Sequence, residues 1–471
     1  MGNNDIHYDN ISYLGSKIRQ KQISPLELTQ IYLKRIEYFD DTLNSFITVM
    51  REDAVKRAEE MGKAIQSGNY FGPLHGIPIA VKDIVSTKGI LTTAGSKLLS
   101  TNIPTENSSI IDKLVKSGAI LIGKLNLSEF AIGGTTDHPY GTPRNPWNTN
   151  HTPGGSSSGS GVAVAGGLCA GALGSDTLGS IRGPSSYCGI VGLRPTYGRV
   201  TRHGVVPMSW SLDTIGPMSR SVKDCAVLLR AIAGQDRRDS SSKSIEVPDY
   251  LSQINKGIQG FKIAVPKEMF EFEGLNHEVR DALSDAISIF ETLGVSTSNV
   301  SLPMSVRSGA VGVSIADVEA ASFHIDNLKS RGNEYDWNTR NRLETAAIMP
   351  ANLYMKAQRA RSIIRKELDG ILQDNDMIIT PTSPVLPPKV EQSTGLPGGL
   401  YEGDTDMGRR RFISPAALAG LPAISIPCGF SNDGLPIGLQ LITRAFNEEQ
   451  LFQAGYSYER ETEWHLSHPP I

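Results

Sequence analysis

An α/β layer fold is what this sequence predicts, and three observations predict it. Short, β-rich apolar runs alternate with stretches of helical periodicity along 471 residues. A dense Gly/Ser segment interrupts that rhythm near residue 155, and the longest stretch without charge or strong polarity, residues 161–174, is too short to cross a bilayer. Matching short strands occur toward both ends of the chain. The expectation is therefore one large domain, 1–471, with a central mixed β-sheet covered by helices on both faces.

In chain order, Ser24-Pro25-Leu26-Glu27 is a capping box with proline at the first helical position. Leu28, Ile31, Tyr32 and Ile36 follow at helical spacing, so the helix runs to about residue 40. Residues 77–81 read as a strand, residues 110–117 as a helix and residues 119–123 as a second strand. Residues 261–265 form another strand, and a helix over 278–293 closes at Gly294. Two apolar runs, 423–428 and 435–442, flank Ser431-Asn432-Asp433-Gly434, which is a hairpin signal. Residues 234–256 are polar and serine-rich, hence a loop. Residues 380–408 carry five prolines and many glycines; so long a connection reads as a functional lid. Residues 60–230 hold the densest motifs, and 295–410 read as a helical excursion that shapes the substrate entrance.

Composition narrows the function. With 46 Lys+Arg against 49 Asp+Glu the net charge is −3, which argues against a broad nucleic-acid footprint. No direct nucleic-acid contact and no membrane partner are expected. Cys169, Cys188, Cys225 and Cys428 form no Cys-x-x-Cys pair and read as reduced thiols. Residues 1–10 are polar with no signal-peptide core, and Ile6 stands where myristoylation wants Ser or Thr. The expected location is cytoplasmic. Nine histidines show no metal-ligand spacing, so neither metal nor cofactor is expected.

Residues 153–161 read Pro-Gly-Gly-Ser-Ser-Ser-Gly-Ser-Gly, and 174–182 read Gly-Ser-Asp-Thr-Leu-Gly-Ser-Ile-Arg. A phosphate-binding loop would need a Gly-Lys-Ser/Thr ending, and a dinucleotide fingerprint would need glycine where Val164 stands. A nucleophile elbow centred on Ser157 would need a strand before it, yet residues 148–153 are turn chemistry. The remaining generic reading is a small-residue helix start packed closely on the sheet.

The combination resembles the amidase signature family. Its two motif serines lie 24 residues apart, as Ser156 and Ser180 do here, and its lysine ends a Val-Lys-Asp strand, matched by Val81-Lys82-Asp83. Further matches run through residues 188–196, 211–217 and 419–423, so the resemblance covers roughly residues 10 to 460. It implies an amide hydrolase with a Ser–Ser–Lys relay and an acyl-enzyme. Ser180 would attack the carbonyl, Ser156 would bridge, and Lys82 would be the base. A lysine is a base only when neutral, so burial must lower its pKa; the alternative is a surface lysine paired with Asp83. The resemblance also implies an oxyanion hole from the backbone N–H groups of Thr177, Leu178, Gly179 and Ser180, and a cis peptide before Ser156.

Leu178 departs from the family's usual glycine: either its φ is negative, or the leucine shapes the pocket at some cost. Asp176 and Arg182 read as residues holding the turn. Gly133, Gly134, Thr135 and Thr136 fall where family members often line the acyl pocket, and Trp210 and Met208 are further candidates. Within the family, the core motifs through residue 217 resemble the A subunit of glutamine-dependent tRNA amidotransferases. Residues 316–326 and 340–347 depart from it. The expectation is therefore a stand-alone hydrolase of a small-molecule amide, carbamate, urea or hydrazide, with the amidotransferase component as the alternative. Homodimerisation is implied only by the family's habit.

Overall fold

Every residue of the central strands is buried. Successive side chains of a strand point to opposite faces, so such strands are covered on both sides. The computed structural model describes residues 6–132, 134, 138–390 and 405–471. Among them, one mixed sheet holds 11 strands. In chain order these are β1 (Phe46–Val49), β2 (Pro78–Lys82), β3 (Ile120–Leu125), β4 (Gly171–Asp176), β5 (Val191–Arg194) and β6 (Thr214–Ser219), followed by β7 (Lys262–Pro266), β8 (Ser296–Val300), β9 (Met377–Pro381), β10 (Ala423–Phe430) and β11 (Pro436–Thr443). Across the sheet the order is β1-β3-β2-β4-β6-β5-β10-β11-β9-β7-β8.

The capping box forms as read, with Ser24 and Glu27 exchanging side-chain-to-backbone bonds. Its helix runs Pro25–Leu43 before Asn44 turns left-handed at φ 54°. The hairpin signal at 431–434 joins β10 and β11, with Gly434 at φ 74°. Most element ends fall within one or two residues of expectation, and two segments differ by more. The 295–410 excursion contains β8 and β9, both in the sheet; β8 reads Ser-Thr-Ser-Asn-Val and lies at an edge, so its polarity hid it. The excursion proper is three helices, Ser305–Arg331, Trp337–Ala347 and Ala351–Asp374. In the lid stretch, Thr380 and Pro381 complete β9 and residues 405–408 begin the Thr405–Ala419 helix, while 391–404 lie outside the described residues. No helix among the described residues is long and apolar enough to cross a membrane.

What positions the site is the parallel pairing of β2 with β4, Val81 opposite Leu173, which brings their C-terminal ends level. That is where sites form in open α/β sheets. Antiparallel β6 sets Thr214 opposite Asp176. The Ser158–Ala165 helix packs against this edge through a glycine. A Cβ on Gly159 would lie 2.3 Å from the Ser45 carbonyl oxygen and 2.6 Å from the Asn126 backbone. Gly159→Ala should therefore lower stability by at least about 2 kcal/mol, the scale of overpacking against rigid neighbours. A thermal or urea melt that matches the parent would contradict this clamp.

Candidate active site

Lys82 closes β2 with its side chain wholly buried. Its Nζ lies 2.7 Å from Ser156 Oγ, 2.8 Å from Ser175 Oγ and 3.1 Å from Ser157 Oγ. Ser175 arrives from the end of β4, and Ser156 and Ser157 from the turn ahead of the Ser158–Ala165 helix, where the Gly155–Ser156 peptide bond is cis. Burial pulls the Lys82 pKa down to about 7, against the opposing charges of Asp213 and Asp176. The surface alternative is excluded: Asp83 pairs instead with Lys124 at 2.9 Å, both side chains buried, and takes the N–H and hydroxyl of Thr93. Ser157 is saturated, because its hydroxyl donates to the Ser175 carbonyl and accepts the Ser175 N–H.

After β4 the chain makes the turn 177–180 around the carboxylate of Asp176. Oδ1 accepts the Gly179 N–H at 2.8 Å, and Oδ2 the Ile181 N–H at 3.2 Å. Both oxygens also accept Arg182, and Oδ1 accepts Arg194 at 3.0 Å. Burial alone would raise this carboxyl; the two guanidiniums overcome it and hold the group well below the ordinary carboxylate range. Thr177 is tied by its hydroxyl to Asp213 at 2.6 Å. The left-handed residue of the turn is Gly179 at φ 106°, where a Cβ would collide with Ile413. Leu178 is absent from the positive-φ positions, so the unstrained alternative holds. Its side chain packs onto Gly312 of the Ser305–Arg331 helix, whose own Cβ would come within 2.7 Å of it.

Ser156, Ser180 and the turn 177–180 line one cavity of about 90 Å³, walled by Ala131, Met208, Arg342 and Ile413 among others. Arg342 is held there by Asp317 at 2.6 Å. Gly133, Thr135 and Thr136 lie outside the described residues; Gly134 is partly buried. Trp210 is half exposed and lines a different cavity, together with Ser175 and Asp213. Among the described residues, no cluster of His, Cys, Asp or Glu has the makings of a metal site.

The sequence does not show three of the residues around Lys82 in the places they take: Ser157 reads there only as an elbow nucleophile, and Ser175 and Asp213 have no role. Ser175 and Ser157 sit inside the quoted motifs, but only folding shows that they share Lys82 with Ser156. Asp213 lies 36 positions from Thr177 and meets it only through the β4–β6 pairing.

The amidase family model matches residues 27–452. The glutamyl-tRNA(Gln) amidotransferase A subunit of Geobacter sp. (strain M21) is 40% identical, over 98% of this chain and 99% of that one. The crystal structure of the Thermotoga maritima protein of the same name superposes with a TM-score of 0.82 at 34% identity, covering 97% of this chain and 96% of that one. A structure from a vestigial protein complex, described as revealing the origins of an s-triazine catabolic enzyme, gives 0.90 at 31% identity, covering 96% and 98%. These likenesses overturn the expectation of a stand-alone hydrolase whose partners are a small-molecule amide and, by the family's habit, a second copy of itself, with no direct nucleic-acid contact. The departures at 316–326 and 340–347 misled because they are two short stretches, within the Ser305–Arg331 and Trp337–Ala347 helices, set against likeness over nearly the whole chain.

Removing the charge at the centre of the turn should be severe. Asp176→Asn leaves two buried guanidiniums without a counter-charge, and about 3–5 kcal/mol of stability should go with it. A urea midpoint within error of the parent's would refute that role.

Proposed function

The chain belongs to the amidase signature family, and from that premise we propose that it is the A subunit of a glutamine-dependent tRNA amidotransferase. In this reading it is the glutaminase component: it hydrolyses the side-chain amide of glutamine and frees ammonia for transfer to glutamyl-tRNA by partner subunits in the cytoplasm. The observation that carries the reading is end-to-end likeness, at about 40% identity, to relatives bearing that name. The protein thus has protein partners and serves a tRNA-linked acceptor, while the amide itself is small.

Ser180 is the nucleophile, Ser156 the bridging hydroxyl and Lys82 the base. Support comes from the 2.7 Å contact of Lys82 with Ser156 and from the cavity that Ser156 shares with Ser180. Neutral Lys82 draws the Ser156 proton as Ser156 takes that of Ser180, and the Ser180 oxygen adds to the amide carbon. The negative oxygen so formed is held by backbone N–H groups of Thr177, Leu178 and Ser180; Gly179, expected among them, instead gives its N–H to Asp176 at 2.8 Å and fixes the turn. Ser156 returns a proton to the leaving nitrogen, and water then cleaves the acyl-enzyme by the same steps. Arg342, Arg409 and Arg410 line the same cavity, which supports residues 295–410 as the segment shaping its entrance.

Three outcomes are expected. Co-expressed with the remaining subunits of such an amidotransferase, the chain should co-purify with them and convert glutamyl-tRNA(Gln) to glutaminyl-tRNA(Gln) at the expense of glutamine; failure both to assemble and to release ammonia from glutamine would overturn the reading. A fluorophosphonate should label Ser180, with label and activity both lost in Ser180→Ala, the latter by roughly 10³-fold or more. Because Lys82 works when neutral and its pKa lies near 7, kcat/KM should climb about tenfold per pH unit below neutrality and level off above it. A profile falling from pH 6 to 9 in folded protein would remove Lys82 as the base.

A further inference from the structure

Lys82 stands between two cavities and lines neither. On one side Ser156 opens into the cavity it shares with Ser180. On the other, Ser175 lies at the floor of a separate cavity of about 280 Å³, with Asp213 beside it and Trp210, Arg238 and Ser240 at its rim. Ala131 and Met208 line both cavities and form the wall between them. Trp210 and Ser240 are exposed, so the second cavity reaches solvent. Ser175 Oγ receives Lys82 at 2.8 Å and donates to no described residue, so its own proton is left to face that cavity.

The proposed reaction needs such an outlet. Amide plus water gives a carboxylic acid and ammonia, and near neutrality the acid departs as carboxylate. An amidotransferase must pass its nitrogen on as neutral ammonia, because ammonium has no lone pair with which to attack. One proton per turnover therefore stays behind, and Lys82 ends the cycle as an ammonium. We propose that this proton leaves through Ser175 into the second cavity, on the opposite side of Lys82 from the acyl chemistry. The Nζ–H bond breaks as a new O–H bond forms on Ser175, and the original Ser175 proton passes to a water or buffer base in the cavity. Lys82 is then neutral, the base is protonated, and no charge crosses the cavity holding the product. Ser175 acts through Lys82 and is a positioning and relay residue, not a group that touches substrate.

The inference rests on Lys82 as the base, and the experiment separates the two. The native cysteines are all buried, so Ser240→Cys offers one accessible thiol at the rim, where a benzyl methanethiosulfonate can plug the cavity and dithiothreitol reopen it. With p-nitrophenyl acetate, the burst reports acylation of Ser180 and the steady state reports completion of the cycle. Plugging should slow the steady state about tenfold at low buffer concentration while leaving the burst rate unchanged, and dithiothreitol should restore it. In Ser175→Ala the steady state should fall likewise and recover as imidazole is raised, a rescue that a merely structural serine would not show. A plug that alters neither phase, or slows both alike, overturns the proposal, as does a Ser175→Ala defect that imidazole leaves untouched. A full burst in Lys82→Met would remove the underlying base instead, whatever the plug does.

Discussion

The structure depends first on the burial of one amine. A lysine with no exposed surface at the end of a parallel strand is unfavourable unless its nitrogen is hydrogen-bonded and its charge suppressed. Three hydroxyls satisfy Lys82, and they come from two separate segments, the turn before the Ser158–Ala165 helix and the end of β4. For all three to meet it, β2 and β4 must be parallel and level, and the serine turn must lie close against them. The close approach of Gly159 to Asn126 meets the second requirement and the register of Val81 on Leu173 the first.

Asp176 does for the turn 177–180 what the hydroxyls do for the lysine. Arg182 and Arg194 arrive from opposite directions, one from the helix after the turn and the other from β5. The carboxylate remains ionised despite its burial, and an ionised carboxylate organises N–H groups in a way that a neutral one would not. This anchoring lets the turn tolerate leucine at 178. With the left-handed φ placed on Gly179, residue 178 needs only a negative φ, and its side chain is free to form part of the contact with the excursion.

How much of this was legible follows from the range of each interaction. The capping box, the strand at Lys82 and the hairpin are local patterns, and the structure forms them within a residue or two of the positions expected of them. The exposed edge strand β8 was not legible, because a polar strand at the rim of a sheet carries neither alternation nor an apolar run. Asp213 escaped for another reason: its partner Thr177 is set by strand pairing, and no spacing rule reaches across 36 residues. The branch of the family was misjudged because local departures in two helices were weighed above likeness along the whole chain.

Those two helices are bound to the chemistry more tightly than a peripheral excursion would be. The Ser305–Arg331 helix touches the turn 177–180 through Gly312 and Leu178. It also carries buried Glu319, which accepts the Ser209 and Ser211 hydroxyls, while the Ser209 N–H goes to Asp213 at 2.9 Å. Asp213 is the leading charge that opposes the burial of Lys82. A shift of that helix would therefore move both the wall of the cavity shared by Ser156 and Ser180 and the carboxylate that opposes the effect of burial on Lys82. Arg342 of the Trp337–Ala347 helix pairs with Asp317 of the Ser305–Arg331 helix at 2.6 Å, so the two helices hold this wall of the cavity together.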